Sequence, residues 1–374
     1  MGNGKLKVAV ISGGMIANAA HIPAYRALGE GAEVVAVCDI NAQAAQATAQ
    51  RWGIPGVYTD TAEMLEKESP DLVSVCTSNA SHKPLTILAL EHGANVLCEK
   101  PLAVSWADAR EMFAAADRAG RMLFACQSSR FNPEHLDAWD LAQKGWLGQV
   151  YFAEVSRVRR RGVPSWGNFH KKAANGGGAL CDIGVHVLDT AIWLMGNPRM
   201  SGVSGAMGSV LTRKGEGLVT SLAEAGAPLG SFGGQSAFAP HEFETEEFAA
   251  GTVRFEGGAI LNFKVAWALN LPNSSSISIV GDRAGLLLPE FRLITTMDRF
   301  QADVEPRRFA EERPYADKPF SGHWRLIRNV ADAVLGRAEA LVKPEETLNV
   351  TAVIDAFYRS AALGREVRFP ELAG

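Results

Sequence analysis

Short apolar runs alternate with longer stretches of helical periodicity along the first third of the chain. Leu6–Ile11 is an apolar run broken by Ser12-Gly13-Gly14 and followed by a helical pattern from Met15 to near Leu28. Val34–Cys38 is a second run, ending at Asp39 and giving way to an alanine- and glutamine-rich helix that reaches Trp52. Leu72–Cys76, Ala94–Cys98 and Met122–Cys126 continue the series, with helical patterns over 82–92 and 106–119 between them. Apolar runs of this length, joined by helices of about 10–15 residues, predict βαβ units on a parallel sheet covered on both faces.

Past residue 127 the period changes. Val150–Arg161 reads as one strand that puts Arg157, Arg159 and Arg161 on the same face. Phe248–Phe255 and Ala259–Trp267 are strands joined through Gly257-Gly258, a dipeptide suited to a tight primed turn. Ser276–Val280 and Leu286–Leu288 follow, on either side of Asp282-Arg283-Ala284-Gly285. A helix is predicted from Pro344-Glu345-Glu346, where proline and acids suit a first turn, to Gly364 as the residue beyond its end. The stretch 212–240, rich in Gly, Ala and Ser, predicts a long loop. The expected architecture is α/β, with a dinucleotide-binding domain over 1–127 and a second α/β domain over 128–374.

Composition narrows the class. At 374 residues, with 47% hydrophobic and 21% charged, the chain is long enough for two cores and too apolar for a disordered polymer. The net charge of −4 supplies no electrostatic footprint for a nucleic-acid partner. No uninterrupted apolar run predicts a membrane span. Five widely spaced cysteines, Cys38, Cys76, Cys98, Cys126 and Cys181, form no CxxC pair, which argues against a disulfide framework and for a reducing compartment. Lys5, Lys7, Val8–Ile11 and Ala17-Asn18-Ala19 imitate a secretory signal, but Gly13-Gly14 interrupts the apolar stretch. A cytoplasmic protein is the expectation.

Candidate chemistry begins at the first turn. Ser12-Gly13-Gly14-Met15-Ile16-Ala17 fits G-x-G-x-x-A with serine for the first glycine. Gly14 would let the backbone approach a pyrophosphate seated on the helix that opens at Met15. Asp39, at the tip of the second strand, suits the adenosine ribose hydroxyls. It would repel a 2′-phosphate, and Ile40-Asn41 adds no cation, so NAD is expected over NADP.

Two further segments make the pattern specific: Thr77-Ser78-Asn79-Ala80-Ser81-His82 after one strand and Glu99-Lys100-Pro101 after the next. With the first turn, with Arg130-Phe131-Asn132-Pro133 and with the run Gly177–Asp189, they resemble the glucose–fructose oxidoreductase / inositol dehydrogenase (Gfo/Idh/MocA) family. His323-Trp324-Arg325 and Asp355–Ala361 extend the resemblance to the tail; Ser12, and Ser78 where proline is frequent, depart from it. The resemblance implies a Rossmann domain followed by an α/β domain with an open, mainly antiparallel sheet that often forms subunit contacts, hence a homo-oligomer, dimer or tetramer. It implies a catalytic Lys, Asp and His at Lys100, Asp182 and His186. It further implies that Ser12, Gly13, Gly14, Met15, Ile16, Asp39, Thr77, Asn79, His82, Glu99 and Lys100 border the cofactor. Arg130, Trp166 and His170 would join the catalytic residues around the substrate.

The residues support that chemistry on their own terms. Oxidising a secondary alcohol needs a base for the hydroxyl proton while hydride leaves to the nicotinamide. Lys100 ends a predicted strand, the ligand side of such sheets, and Pro101 keeps it extended. Asp182, His186 and Asp189 fall at i, i+4 and i+7 after the glycine run, on one helix face, with Asp189 assigned to the core. Zinc is an alternative for that triplet, and a core histidine another; hydride transfer assisted by Lys100 requires no metal, and none is expected. Trp166, Phe169 and His170 precede the glycine run as a substrate cap or, equally, a loop anchor. Arg157, Arg159, Arg160 and Arg161 suit a solvated strand or subunit contact more than an anion site. The leading function is a nicotinamide-dependent dehydrogenase acting on a ring hydroxyl of a sugar, glycoside or cyclitol. A glycosidase that oxidises and re-reduces on bound NAD is the second possibility, and a non-catalytic nucleotide sensor the third.

Overall fold

The computed structural model describes residues 5–164, 167–215, 217–219, 239–309 and 313–373. Most of the glycine-rich stretch 212–240 and Trp166 lie outside the described residues. The chain forms two compact units, Met1–Phe131 with Pro314–Thr347, and Asn132–Arg313 with Leu348–Gly374. The segment 314–347, expected in the second domain, therefore packs in the first. Its amphipathic helix Ser321–Val334 buries His323, Leu326, Ile327 and Val330 there, an alliance between distant segments that local periodicity does not reveal.

The first unit is a six-stranded parallel sheet in the order β3-β2-β1-β4-β5-β6. Its strands are β1 Leu6–Ile11, β2 Ala32–Cys38, β3 Gly56–Tyr58, β4 Leu72–Val75, β5 Asn95–Cys98 and β6 Leu123–Ala125. This is the doubly wound order whose direction reverses beside β1, where ligands bind at the carboxyl ends of strands. β4 and β5 are buried along their whole length, as continuous apolar runs in a sheet covered on both sides should be. All five cysteines are buried thiols outside any disulfide.

The second unit is a nine-stranded mixed sheet, β14-β13-β12-β11-β7-β10-β9-β8-β15, antiparallel except for the β7–β10 pair. Its strands are β7 Val150–Val158, β8 Met200–Gly208, β9 Phe248–Phe255, β10 Ile260–Ala266, β11 Ser274–Gly281, β12 Ala284–Leu288, β13 Arg292–Met297, β14 Phe300–Val304 and β15 Val367–Arg368. Gly257 and Gly258 both have positive φ, +84° and +92°, the condition for the tight turn between β9 and β10. β7 stops at Val158, short of the expected Arg161. The apolar helical stretch ending at Leu194 is long and apolar enough to cross a membrane by composition, but 89% of its most apolar window is buried in the protein. It is a core helix.

Candidate active site

The turn after β1 is built on two close approaches. Ser12 has φ +90°, the left-handed region that favours glycine, so the departure from the glycine motif carries backbone strain. Its Oγ accepts the Gly14 N–H at 3.1 Å. A Cβ on Gly13 would stand 2.7 Å from Thr48 Oγ1 and 2.8 Å from the Ala44 carbonyl oxygen, so only glycine lets the helix Ala42–Trp52 pack here. A Cβ on Gly14 would meet Ser12 Oγ at 3.1 Å, so at the start of the helix that opens with Met15 and Ile16 the half-buried Gly14 presents backbone without a side chain. Asp39 Oδ2 accepts the Gly13 N–H at 2.8 Å and Oδ1 that of Asn41 at 2.8 Å. Asn18 locks the turn: its amide donates to Gly13 O, Gly14 O and Thr48 Oγ1, and its Oδ1 accepts from Trp52 Nε1 at 2.8 Å. The side-chain-free Gly14, the helix start and the strand-end carboxylate fit a dinucleotide's pyrophosphate and adenosine ribose.

Lys100 follows β5 and is half-buried. Its backbone N–H donates to Glu99 Oε2 at 3.0 Å. The Glu99 side chain is turned inward, 5% exposed, and bonded to His21 and His323. Burial alone would raise its carboxyl, but the hydrogen bonds from His21 and His323 hold it well below the usual range. His82, also expected beside the cofactor, is fully buried. Its ring spans Pro101 O at 2.9 Å and Thr77 O at 3.1 Å, and burial, the largest cause, lowers its pKa. A neutral ring donates through one nitrogen, so His82 braces the loops of Thr77 and Pro101. Thr77 and Asn79 are half-buried on the turn and short 3₁₀ segment before the helix His82–Glu91. Arg130, expected around the substrate, is fully buried and ion-paired with Glu346.

Asp182 and His186 belong to the second unit. Their helix opens at Ala179, passes through a π turn over Leu180–Gly184 and continues as Val185–Leu194. From Ala179 to Leu194 every residue is buried except Asp182 and His186. The widened turn, a device frequent at functional sites, keeps both on one accessible side, while Asp189 lies fully in the core. Asp182 Oδ2 accepts the Trp267 indole N–H at 2.9 Å. Burial lowers the pKa of half-buried Arg157 and Arg159, and the Asp182 charge acts against that on both. Glu246 holds the start of the helix: Oε2 accepts Gly178 N–H at 2.7 Å and Oε1 that of Leu180 at 3.0 Å. Tyr358 OH donates to the same Oε1 at 2.8 Å, and burial raises the Glu246 carboxyl. His170 is buried, and its pKa is lowered by burial.

The family model described as the oxidoreductase family, NAD-binding Rossmann fold (Gfo/Idh/MocA), matches residues 6–126, and the model of its C-terminal alpha/beta domain matches 140–369. The chain belongs to this family. It is an NAD-dependent oxidoreductase, and NAD is the cofactor that the turn at Gly14 and Asp39 fits. A D-glucoside 3-dehydrogenase of Escherichia coli is 31% identical over 370 residues, covering 98% of each chain. GenD2 from gentamicin A biosynthesis, crystallised with NAD, is 25% identical with a TM-score of 0.76, covering 98% of this chain and 96% of its own. An oxidoreductase domain protein from Kribbella flavida shares the fold at TM-score 0.80 and 22% identity, covering 98% and 100%.

Several supporting groups of this Gfo/Idh/MocA chain were not legible. Asn18 sat in a segment resembling a cleavage site, and Trp267 and Glu246 in ordinary strand and loop context. No local signal marks them; a glutamate pair before an apolar strand, Glu246-Glu247, is the only hint.

Proposed function

We propose that the protein takes hydride from a ring secondary hydroxyl of a sugar, glycoside or cyclitol, with D-glucosides the first class to test. The observation that carries the reading is the helix Ala179–Leu194, buried throughout except at one carboxylate and one imidazole, Asp182 and His186. The glucoside dehydrogenase that aligns over 98% of the chain supports the substrate class. Bound NAD supplies the hydride acceptor. Lys100 and His186 take up the hydroxyl proton as the carbon loses hydride, giving a keto sugar. Asp182, steadied by Trp267, holds a substrate hydroxyl and orients the imidazole. His170, Thr77 and Asn79 are the proposed neighbours of substrate and nicotinamide. The test is a panel of polyols, free sugars and glycosides, following NAD reduction beside product analysis. Keto product equimolar with reduced cofactor is expected. Free sugar released without net reduction would replace this reading by the glycosidase, and binding without turnover by the sensor.

Cofactor choice follows from Asp39, whose carboxylate lies against Gly13 N–H. NAD is expected to be used with far higher catalytic efficiency than NADP, and Asp39→Ala should narrow the gap mainly by weakening NAD. Equal efficiency of the two cofactors with the unmodified protein would contradict this.

We also propose a cytoplasmic homo-oligomer. Tyr151, Met297 and Phe300 leave 54%, 58% and 61% of their surface exposed on the nine-stranded sheet, the kind of apolar surface a second copy covers. Sedimentation should report a dimer or tetramer; a monomer at micromolar concentration would contradict it.

A further inference from the structure

We infer that the buried cluster of His21, Glu99 and His323 is the positioning device for Lys100. The inference rests on the proton-handling role proposed for that lysine. Glu99 Oε1 accepts from His21 Nε2 at 2.9 Å and from His323 Nε2 at 3.4 Å, while Oε2 holds the Lys100 backbone N–H at 3.0 Å. The Cys126 thiol also bonds this carboxylate, and burial and Glu99 together push that thiol well up. Behind His21 the chain of protons is complete. Tyr25 OH lies 2.7 Å from Ser74 Oγ, and Ser74 Oγ lies 3.2 Å from His21 Nδ1. Tyr25 donates to Ser74, Ser74 to His21 Nδ1, and His21 Nε2–H to Glu99, an assignment read from the network. Burial, the largest cause, lowers His21, so the ring is neutral and the carboxylate carries the charge.

A buried carboxylate is costly unless donors surround it, and once surrounded it has no other place to go. Lys100 is the next residue in the chain. Its flexible stem reaches wherever the backbone aims it, so fixing that backbone fixes the reach of the ammonium. His21 sits in a π turn over Ala17–His21, and His323 comes from the helix Ser321–Val334, more than two hundred residues downstream of Lys100. The two rings meet edge to face at 5.9 Å, with Phe320 against His323 at 5.7 Å. The helix 321–334 thus has a task in the nucleotide-binding unit beyond packing.

One nitrogen, oxygen, sulfur and nitrogen from His21, Glu99, Cys126 and His323 lie within 4.8 Å of one another, a donor set zinc would accept. The contacts of His21 and His323 to Glu99 are at hydrogen-bond distance, and a proton on each facing Nε2 accounts for both, so zinc content is measured in the test.

The test uses the full-length protein with NAD and a glucoside substrate, measuring kcat, KM, NAD affinity, melting temperature and zinc content for the wild type, His323→Leu, His323→Gln, Cys126→Ser and Lys100→Ala. His323→Leu should lower kcat by about 10²-fold, the scale of a small misplacement of a reacting group. KM and NAD affinity should change little. His323→Gln, which can present an N–H where Nε2 stood, should recover most of the turnover. A folded, NAD-binding His323→Leu with wild-type kcat, beside an inactive Lys100→Ala, would overturn this inference alone. So would equal losses in His323→Leu and His323→Gln that track melting temperature, or one equivalent of zinc lost with Cys126→Ser. Wild-type turnover by Lys100→Ala would instead remove the functional reading on which the inference stands.

Discussion

Alanine at Lys100 or at His186 is expected to lower turnover by about 10²–10⁴-fold, the contribution of positioned acid–base groups. NAD affinity should change much less, because the pyrophosphate and adenosine ribose are assigned to the turn at Gly14 and to Asp39, not to Lys100 or His186. The double variant should cost less than the product of the singles, since groups acting as one unit are non-additive. Asp182→Asn should fall between, keeping the bond from Trp267 Nε1 while losing the charge. Steady-state kinetics with a good substrate at several pH values decides the matter. Either single alanine variant retaining most of its turnover would make these residues structural.

The second large effect is expected from a methyl group. A Cβ on Gly178 would stand 2.1 Å from the backbone oxygen of Glu246, 2.9 Å from its nitrogen and 3.0 Å from its carbonyl carbon. That carbonyl cannot retreat without loosening the Ala179 N–H bond it accepts at 3.0 Å, beside the Gly178 N–H bond to the Glu246 carboxylate at 2.7 Å. Overpacking of this kind costs about 1–3 kcal/mol. Here it also displaces the start of the helix that carries Asp182 and His186. Gly178→Ala should therefore melt at a lower temperature and lose activity out of proportion to the fraction unfolded. Gly257→Ala is the comparison, because nothing lies within 4 Å of its Cβ and only its φ of +84° resists the change. If Gly178→Ala melted and turned over like the wild type, the packing account of the glycine run would be wrong.

Most of the first sheet was legible because its strands are buried on both faces and flanked by helices of clear period. The expected runs at Leu6, Leu72, Ala94 and Met122 reappear as β1, β4, β5 and β6 within a residue or two. The family motifs likewise singled out Lys100, Asp182 and His186, whose roles are those proposed above. Burial of polar groups was not legible. His82, Glu99 and Arg130 have the residue types of a binding site, and the structure spends them on Pro101 O, on His21 and His323, and on Glu346. Such partners are distant in sequence, so no local pattern separates a group that faces a ligand from one that braces the loop behind it. The same limit hid the segment 314–347, whose amphipathic stripe announces a helix but not the unit it packs in. The π turns at Ala17–His21 and Leu180–Gly184 were read as α-helix, since one extra residue per turn leaves the apolar pattern almost unchanged.

The most direct measurement follows deuterium. A glucoside carrying deuterium on every ring carbon, incubated with the protein and NAD, should transfer one deuterium per turnover to the nicotinamide ring and leave a keto sugar lacking it. Magnetic resonance of the reduced cofactor and mass analysis of the sugar read both halves of that transfer. Deuterium retained in the sugar, or lost to water while the cofactor stays oxidised, would contradict hydride transfer from a ring hydroxyl carbon.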